Sequence, residues 1–218
     1  NCGSQMHLEH QIEYEAHALR LMEGSGRTPK VLYVDGSKKI LEHGVLVMEY
    51  LPGHAMDYHT ELMLAAPCLA DIHSVPIPES EEILIHPQNP LKAILEECEE
   101  MFKVYLESPL GDGEKKTYIR ELLDLGWKRE AEIQLESGYQ CCINTELNST
   151  NLLINGEGKS NYLIDWEKPL FGNPAQDLGH FLAPTTTFWK TDVILTSEEI
   201  EKFIDAYIKA VENRFKTD

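Results

Sequence analysis

Residues 139–177 read YQCCINTELNSTNLLINGEGKSNYLIDWEKPLFGNPAQD, and the way this stretch is parsed decides the fold. The apolar run Leu152, Leu153 and Ile154, the turn residues Asn155, Gly156, Glu157 and Gly158, and a second apolar run over residues 162–164 read as a β-hairpin, with Asn-Gly as the turn signal. Pairing brings the two ends of such a hairpin together. Asn151, entering the first strand, and Asp165, leaving the second, then lie side by side at the open end, each offering a side-chain oxygen. A carboxylate beside an amide oxygen suits a hard cation, because magnesium takes a few oxygen ligands and fills its other positions with phosphate oxygens and water. Just before Asn151, the polar loop over 144–150 carries one carboxylate, Glu146, placed to face whatever the cation holds.

Taken singly, each piece has an ordinary reading. A loop rich in Asn, Ser and Thr is turn chemistry, and an Asp after a strand is a cap or a solvated end. Order and spacing argue otherwise. The chain has Asn144-Thr145-Glu146-Leu147-Asn148-Ser149-Thr150-Asn151, then Leu163-Ile164-Asp165-Trp166-Glu167, then Gly172-Asn173-Pro174-Ala175-Gln176-Asp177-Leu178. In this order and at these intervals it resembles the aminoglycoside phosphotransferase and choline kinase group, whose members show H-G-D-L-x-x-x-N, I-D-W-E and G-D-P-x-x-D-L. Asn144 stands where the group has His, and Glu146 where it has the catalytic Asp. The resemblance implies an α+β, protein-kinase-like fold and transfer of the γ-phosphoryl group of ATP to a hydroxyl of a small molecule of the aminoglycoside or choline type. It also implies that Asn151 and Asp165 hold Mg2+, that Glu146 orients or deprotonates the acceptor hydroxyl, and that Asp177 braces the loop. A loose phosphoryl transition state asks more for charge neutralisation and positioning than for a strong base, so Glu at the Asp position is compatible with catalysis.

The rest of the chain extends this resemblance. Leu8, Ile12, Leu19 and Met22 fall near helical spacing over 8–22, and Gly24-Ser25-Gly26 supplies the stop. Residues 30–34 and 45–49 read as apolar strands, and Leu51-Pro52-Gly53 breaks the second. In the group these are the regulatory-type helix, the next strands, and a hinge whose backbone meets adenine. Glu15 then becomes the helix carboxylate that pairs with a catalytic lysine, with Glu13 as the fallback, and backbone groups of Glu49 and Leu51 become the adenine contacts. Only seven residues precede Leu8, so the lysine, its strand and a glycine-rich loop have no room, and the expectation is an N-terminally truncated chain. The division expected is 1–53, a partial N-terminal lobe with its hinge, and 54–218, a helical C-terminal lobe with the catalytic loop and metal site.

Within that second part, 57–75 reads as a helix kinked or started by Pro67 and closed by His73. Leu91, Ile94, Leu95, Cys98, Met101, Phe102 and Tyr105 trace one stripe of an amphipathic helix, and Ile119 to Trp127 trace another. A helix beginning at Leu178 should end at Pro184. Thr196-Ser197-Glu198-Glu199 reads as a capping box for a last helix.

Composition excludes several classes. The chain has 218 residues, enough for one substantial domain or two small lobes, and a formal net charge of -18 with a pI near 4.8. That charge repels phosphate backbones and anionic lipid surfaces, so neither nucleic acid nor membrane is an expected partner, whereas a cationic acceptor would be favoured. The oligomeric state is not legible. Five cysteines, Cys2, Cys68, Cys98, Cys141 and Cys142, form neither a disulfide framework nor a zinc knuckle. On a strand the adjacent pair would point to opposite faces as half-buried packing residues, which suits a reducing cytoplasm. His7, His10 and His17 could share a helix face but have no neighbouring ligand cluster for a metal. The rival to an enzyme is a degenerate kinase-like protein, binding a nucleotide or a partner without catalysis, in which Asn144 and Glu146 record lost chemistry.

Overall fold

The computed structural model describes residues 8–133 and 138–215; Cys2 and His7 lie outside them. Two compact units emerge, one over residues 87–138 and one assembled from the segments on either side. The larger unit opens with helix α1 (Gln11–Met22), whose buried side chains include Tyr14, Ala18 and Leu19. It starts three residues later than the apolar spacing predicts, and its N-cap, His10, makes no side-chain cap hydrogen bond. A short 3-10 turn and Gly26, at φ +65°, end it. Strands β1 (Val31–Asp35) and β2 (Val45–Met48) pair antiparallel, with a bulge between Val31 and Tyr33. Strand β3 (His54–Ala55) follows the hinge and is too short to announce itself in the sequence.

Helix α2 (Leu62–His73) begins at Leu62, not at Asp57. The residues between form a turn held by Asp57, whose carboxylate accepts from the His59 amide at 2.8 Å and whose own amide donates to Glu61 Oε2 at 2.9 Å. Pro67 neither starts nor breaks α2; it sits inside on the exposed face. The smaller unit is an antiparallel pair, α3 (Pro90–Glu107) and α4 (Gly113–Glu132), each capped by the side chain before it, Asn89 and Asp112. Glu99 joins them by accepting from Arg120 at 2.6 Å and from Trp127 Nε1 at 3.1 Å.

Back in the larger unit come β4 (Cys141–Ile143), β5 (Leu152–Ile154), β6 (Tyr162–Leu163) and β7 (Leu170–Gly172). β5 and β6 form the expected hairpin, with Leu152 opposite Leu163, and β3 adds to its other side. Asn155 organises the turn, donating to the Pro52 and Ser160 carbonyls at 3.0 and 2.8 Å, while Gly156 and Gly158 supply positive φ. β4 pairs with β7. Both cysteines of the adjacent pair are fully buried, not half-buried as expected, because β4 also packs on helices. Burial raises both thiols well above their ordinary range.

Helices α5 (Pro174–Leu182), α6 (Pro184–Thr191) and α7 (Ser197–Val211) complete the unit. Two corrections concern proline. α5 begins at Pro174, four residues ahead of Leu178, capped by Asn173, and Pro184 both ends α5 and opens α6, since a first-turn proline loses no intrahelical bond. The capping box at Thr196 and Glu199 is present. α7 packs against α2, and Trp166, Tyr58, Phe181, Phe203, Leu69 and Ile72 fill the centre. No helix among the described residues is long and apolar enough to cross a membrane.

Candidate active site

The site is built outward from Asp177. It lies in the first turn of α5, fully buried, and its carboxylate accepts from the amides of Asn144 at 2.8 Å and Thr145 at 2.7 Å. The His73 ring, also fully buried, lies 3.1 Å away through Nε2 and meets the Tyr207 hydroxyl at 2.9 Å through Nδ1. A neutral ring donating from Nε2 and accepting at Nδ1 satisfies both neighbours. A buried carboxylate is tolerable only when donors surround it, and here three do. Sequence reading assigned His73 to a helix end and gave Tyr207 no role. Nothing local signals their meeting, since 104 and 134 residues separate the bonded partners.

From that anchor the loop over 144–151 is wound by its own amides. The Glu146 amide donates to Asn144 Oδ1 at 3.1 Å, and the Glu146 carbonyl accepts from Asn148 Nδ2 at 2.9 Å and Asn151 Nδ2 at 3.0 Å. Asn148 in turn accepts from Thr150. The Glu146 backbone is therefore tied at three points, which sets the direction in which its half-buried side chain leaves. Asn151 spends its amide nitrogen on this loop, and its side-chain oxygen, which accepts from Thr150 Oγ1 only at 3.4 Å, is the atom with a lone pair left for a cation. The Asn151 carbonyl accepts from the Ile164 amide at 2.9 Å, which places Asp165 one residue beyond the ladder, at the open end of the hairpin. The donor set fits magnesium. Among the described residues no cluster of three or more His, Cys, Asp or Glu side chains is arranged to hold a metal.

The Asn144 and Thr145 side chains connect the loop to the segment that starts at Asp165. Asn144 Nδ2 donates to the Asp165 carbonyl at 2.8 Å, and Thr145 Oγ1 donates to the Lys168 carbonyl at 2.7 Å. Thr145 and Asp165 both sit in the left-handed region, at φ +67° and +65°. For a β-branched residue that is a true outlier.

Helix α1 meets the same segment. Tyr14 donates to the Pro169 carbonyl and Gln11 Nε2 to the Glu167 carbonyl, each at 2.6 Å. Glu15 is thereby carried to the acidic side of the site. Burial, then the Glu167 and Asp165 carboxylates, push its carboxyl up to about 7. Glu13 is turned away: its carboxylate occupies the space a Cβ at Gly36 would need. At the hinge, the Glu49 amide is used in pairing to the Lys30 carbonyl at 2.9 Å, whereas its carbonyl and the Leu51 amide have no hydrogen-bond partner among the described residues. The structure thus gathers Glu146, Asn151, Asp165 and Glu15 around one end of the hairpin. Glu49 and Leu51 lie on the connection from β2 to β3. Gln11, Tyr14 and Thr145 were missed; only Thr145 had a signal, as a side chain where the resembling group has Gly.

The chain is similar in structure to an AMP-bound spectinomycin phosphotransferase (19% identity, TM-score 0.60, 95% of this chain and 68% of that one), to the Plasmodium vivax ethanolamine kinase (18%, 0.68, 93% and 59%) and to a choline kinase from Cryptosporidium parvum Iowa II (14%, 0.66, 91% and 61%). At these identities the likeness establishes the fold, α+β and protein-kinase-like, and the chain spans about three fifths to two thirds of the length of those proteins. No curated protein matches it. The family described as "Phosphotransferase enzyme family" matches residues 3–216, nearly end to end, and the chain belongs to that family.

Proposed function

We propose that the protein transfers the γ-phosphoryl group of ATP to a hydroxyl of a small, preferably cationic molecule. One observation carries the reading: Glu146, Asn151 and Asp165 converge at the open end of one hairpin, on a loop whose backbone is fixed by the buried Asp177. Asn151 and Asp165 would hold Mg2+ through their side-chain oxygens. Bound there, the ion neutralises charge on the phosphates. Glu146 would accept a hydrogen bond from the acceptor hydroxyl and take its proton as the oxygen bonds to phosphorus and ADP leaves. Glu15, kept beside Asp165 and Glu167, would pair with a lysine, and the Glu49 carbonyl and Leu51 amide would meet adenine. In this reading residues 1–53 belong to the nucleotide-side lobe and 54–218 to the lobe that carries the chemistry. The net charge of -18 favours a cationic acceptor and disfavours nucleic acid. The free thiols of Cys68, Cys98, Cys141 and Cys142 suit a reducing cytoplasm.

The test is ATP turnover by the full-length protein against a panel of small hydroxyl compounds, with Asp165→Asn beside the parent. Turnover should fall by about 10³-fold or more while the melting temperature stays within a few degrees, because the residue serves the ion and not the core. Undiminished turnover in Asp165→Asn would refute the metal assignment. A parent that binds Mg-ATP but turns over no acceptor would favour the non-catalytic rival.

A further inference from the structure

Asn144 and Thr145 depart from the H-G pair of the resembling motif, yet each makes a side-chain bond that crosses from the catalytic loop to the segment bearing Asp165. The first ends on the Asp165 carbonyl and the second on the Lys168 carbonyl, so residues 165–168 are held at both ends. Between them Trp166 is 1% exposed, with Nε1 donating to the Leu163 carbonyl at 3.2 Å. Each tie starts from a fixed point, since the amides of both residues are anchored on Asp177.

The chemistry of each residue suits the task. Asn144 uses one donor, to Asp165, and one acceptor, from the Glu146 amide. A neutral imidazole offers the same inventory, one donor and one acceptor, so the amide keeps what a His would supply there. Thr145 is in a region where glycine is at ease and a β-branched residue is strained. Glycine would relieve that strain but has no hydroxyl with which to reach Lys168.

We propose that Asn144 and Thr145 are positioning residues, a two-point clamp that sets where Asp165 presents its carboxylate, with the Thr145 hydroxyl holding the strained backbone in place. Its catalytic consequence rests on the phosphotransfer reading above; its structural consequence does not.

Two measurements separate these. The first is acrylamide quenching of Trp166 in a Trp127→Phe/Trp189→Phe background of this chain, without nucleotide or metal. Thr145→Val and Asn144→Leu, which remove the donors, should steepen quenching about twofold or more as the segment opens locally. Thr145→Ser and Asn144→His, which keep them, should follow the parent. The second sets kcat of the full-length protein against melting temperature. Thr145→Gly relieves the strain and should melt above Thr145→Val, yet both should lose kcat by about 10-fold or more with KM for ATP within about threefold. Thr145→Ser should recover most of the rate. A purely structural role would rank kcat by melting temperature; the clamp ranks it by the presence of the hydroxyl. Quenching unchanged in Thr145→Val and Asn144→Leu overturns the clamp whether or not the protein turns over ATP. Parent-like kcat in Thr145→Gly overturns its catalytic consequence while the phosphotransfer reading stands. If the parent shows no turnover, the phosphotransfer reading fails and the quenching result alone decides the clamp.

Discussion

The catalytic loop and the β1–β2 sheet are held by different physics. In the loop, Asn144, Asn148, Ser149 and Asn151 are buried polar residues around a buried Asp177, and the bonds among them are short and directional. In the sheet, two short strands pair across a bulge, and Leu32, Tyr33, Val47 and Met48 are exposed apolar side chains, with Leu32 at 66% and Tyr33 at 53%. Buried polar networks are sensitive to single atoms, because an unpaired group in a dry site costs more than a paired one contributes. A half-open apolar surface is forgiving, since little transfer free energy has been realised there. The hairpin end should therefore respond sharply to substitution and the open face of the sheet hardly at all.

Asp177→Ala gives the largest expected response. It leaves the Asn144 and Thr145 amides and the His73 ring without an acceptor inside the core, and breaking such a buried pair costs about 3–5 kcal/mol. Chemical denaturation of the parent and variant measures it. A loss below about 1 kcal/mol would show that water or a rearranged loop replaces the carboxylate, and that the network is less directional than its distances suggest.

Glu146→Gln sharpens the comparison from the side of chemistry. Its backbone ties are unaffected by the change, so the fold should hold, while loss of charge and basicity should slow turnover by about 10²-fold, the scale of a positioned general base. Glu146→Asp shortens the reach by one methylene and should lose less. Equal rates in parent and Glu146→Gln would remove Glu146 from the mechanism.

These contrasts also explain what the sequence disclosed. The β5–β6 hairpin was legible because its apolar runs and Asn-Gly turn are adjacent in the chain, and so was the capping box at Thr196. Position by position, the motif spacing led to Glu146, Asn151 and Asp165. What was not legible is non-local: β3 and β7 are two and three residues long and take their meaning from distant partners. Pro184 signalled a helix end correctly but not that it starts the next helix, since proline suits both places. Glu15 was preferred to Glu13 from the sequence alone; that Glu13 turns toward Gly36 is a tertiary fact the sequence did not disclose.

Glu15 lies between the two regions, on the helix that joins the sheet to the site, and its response should be intermediate and pH-dependent. Its folded pKa, about 7, is above its unfolded value of 4.5, so the folded state keeps a proton that the unfolded state releases. Stability is thus lost as pH rises through the window from 4.5 to about 7, and the penalty is fully present above it. In this 218-residue chain Glu15→Gln should raise the melting temperature by a few degrees near about pH 8, an effect on the order of 1 kcal/mol, and match the parent near about pH 4.5. A variant less stable than the parent at the higher pH would mean that a cation already pairs with Glu15.

The smallest response should come from the open face of the sheet. Leu32 keeps 66% of its surface in water, so replacing it by Thr forfeits little burial, and Thr brings the β-branched shape that strands accommodate. The expected change is within about 0.5 kcal/mol, as for surface substitutions generally. Leu46 provides the internal control. It lies on the neighbouring strand but packs against the core cluster, and Leu46→Ala should cost about 2 kcal/mol or more. Both are read from urea midpoints at constant slope. If Leu32→Thr costs as much as Leu46→Ala, the face exposed here is covered in solution, and the sheet would belong with the catalytic loop among the regions where single side chains are felt.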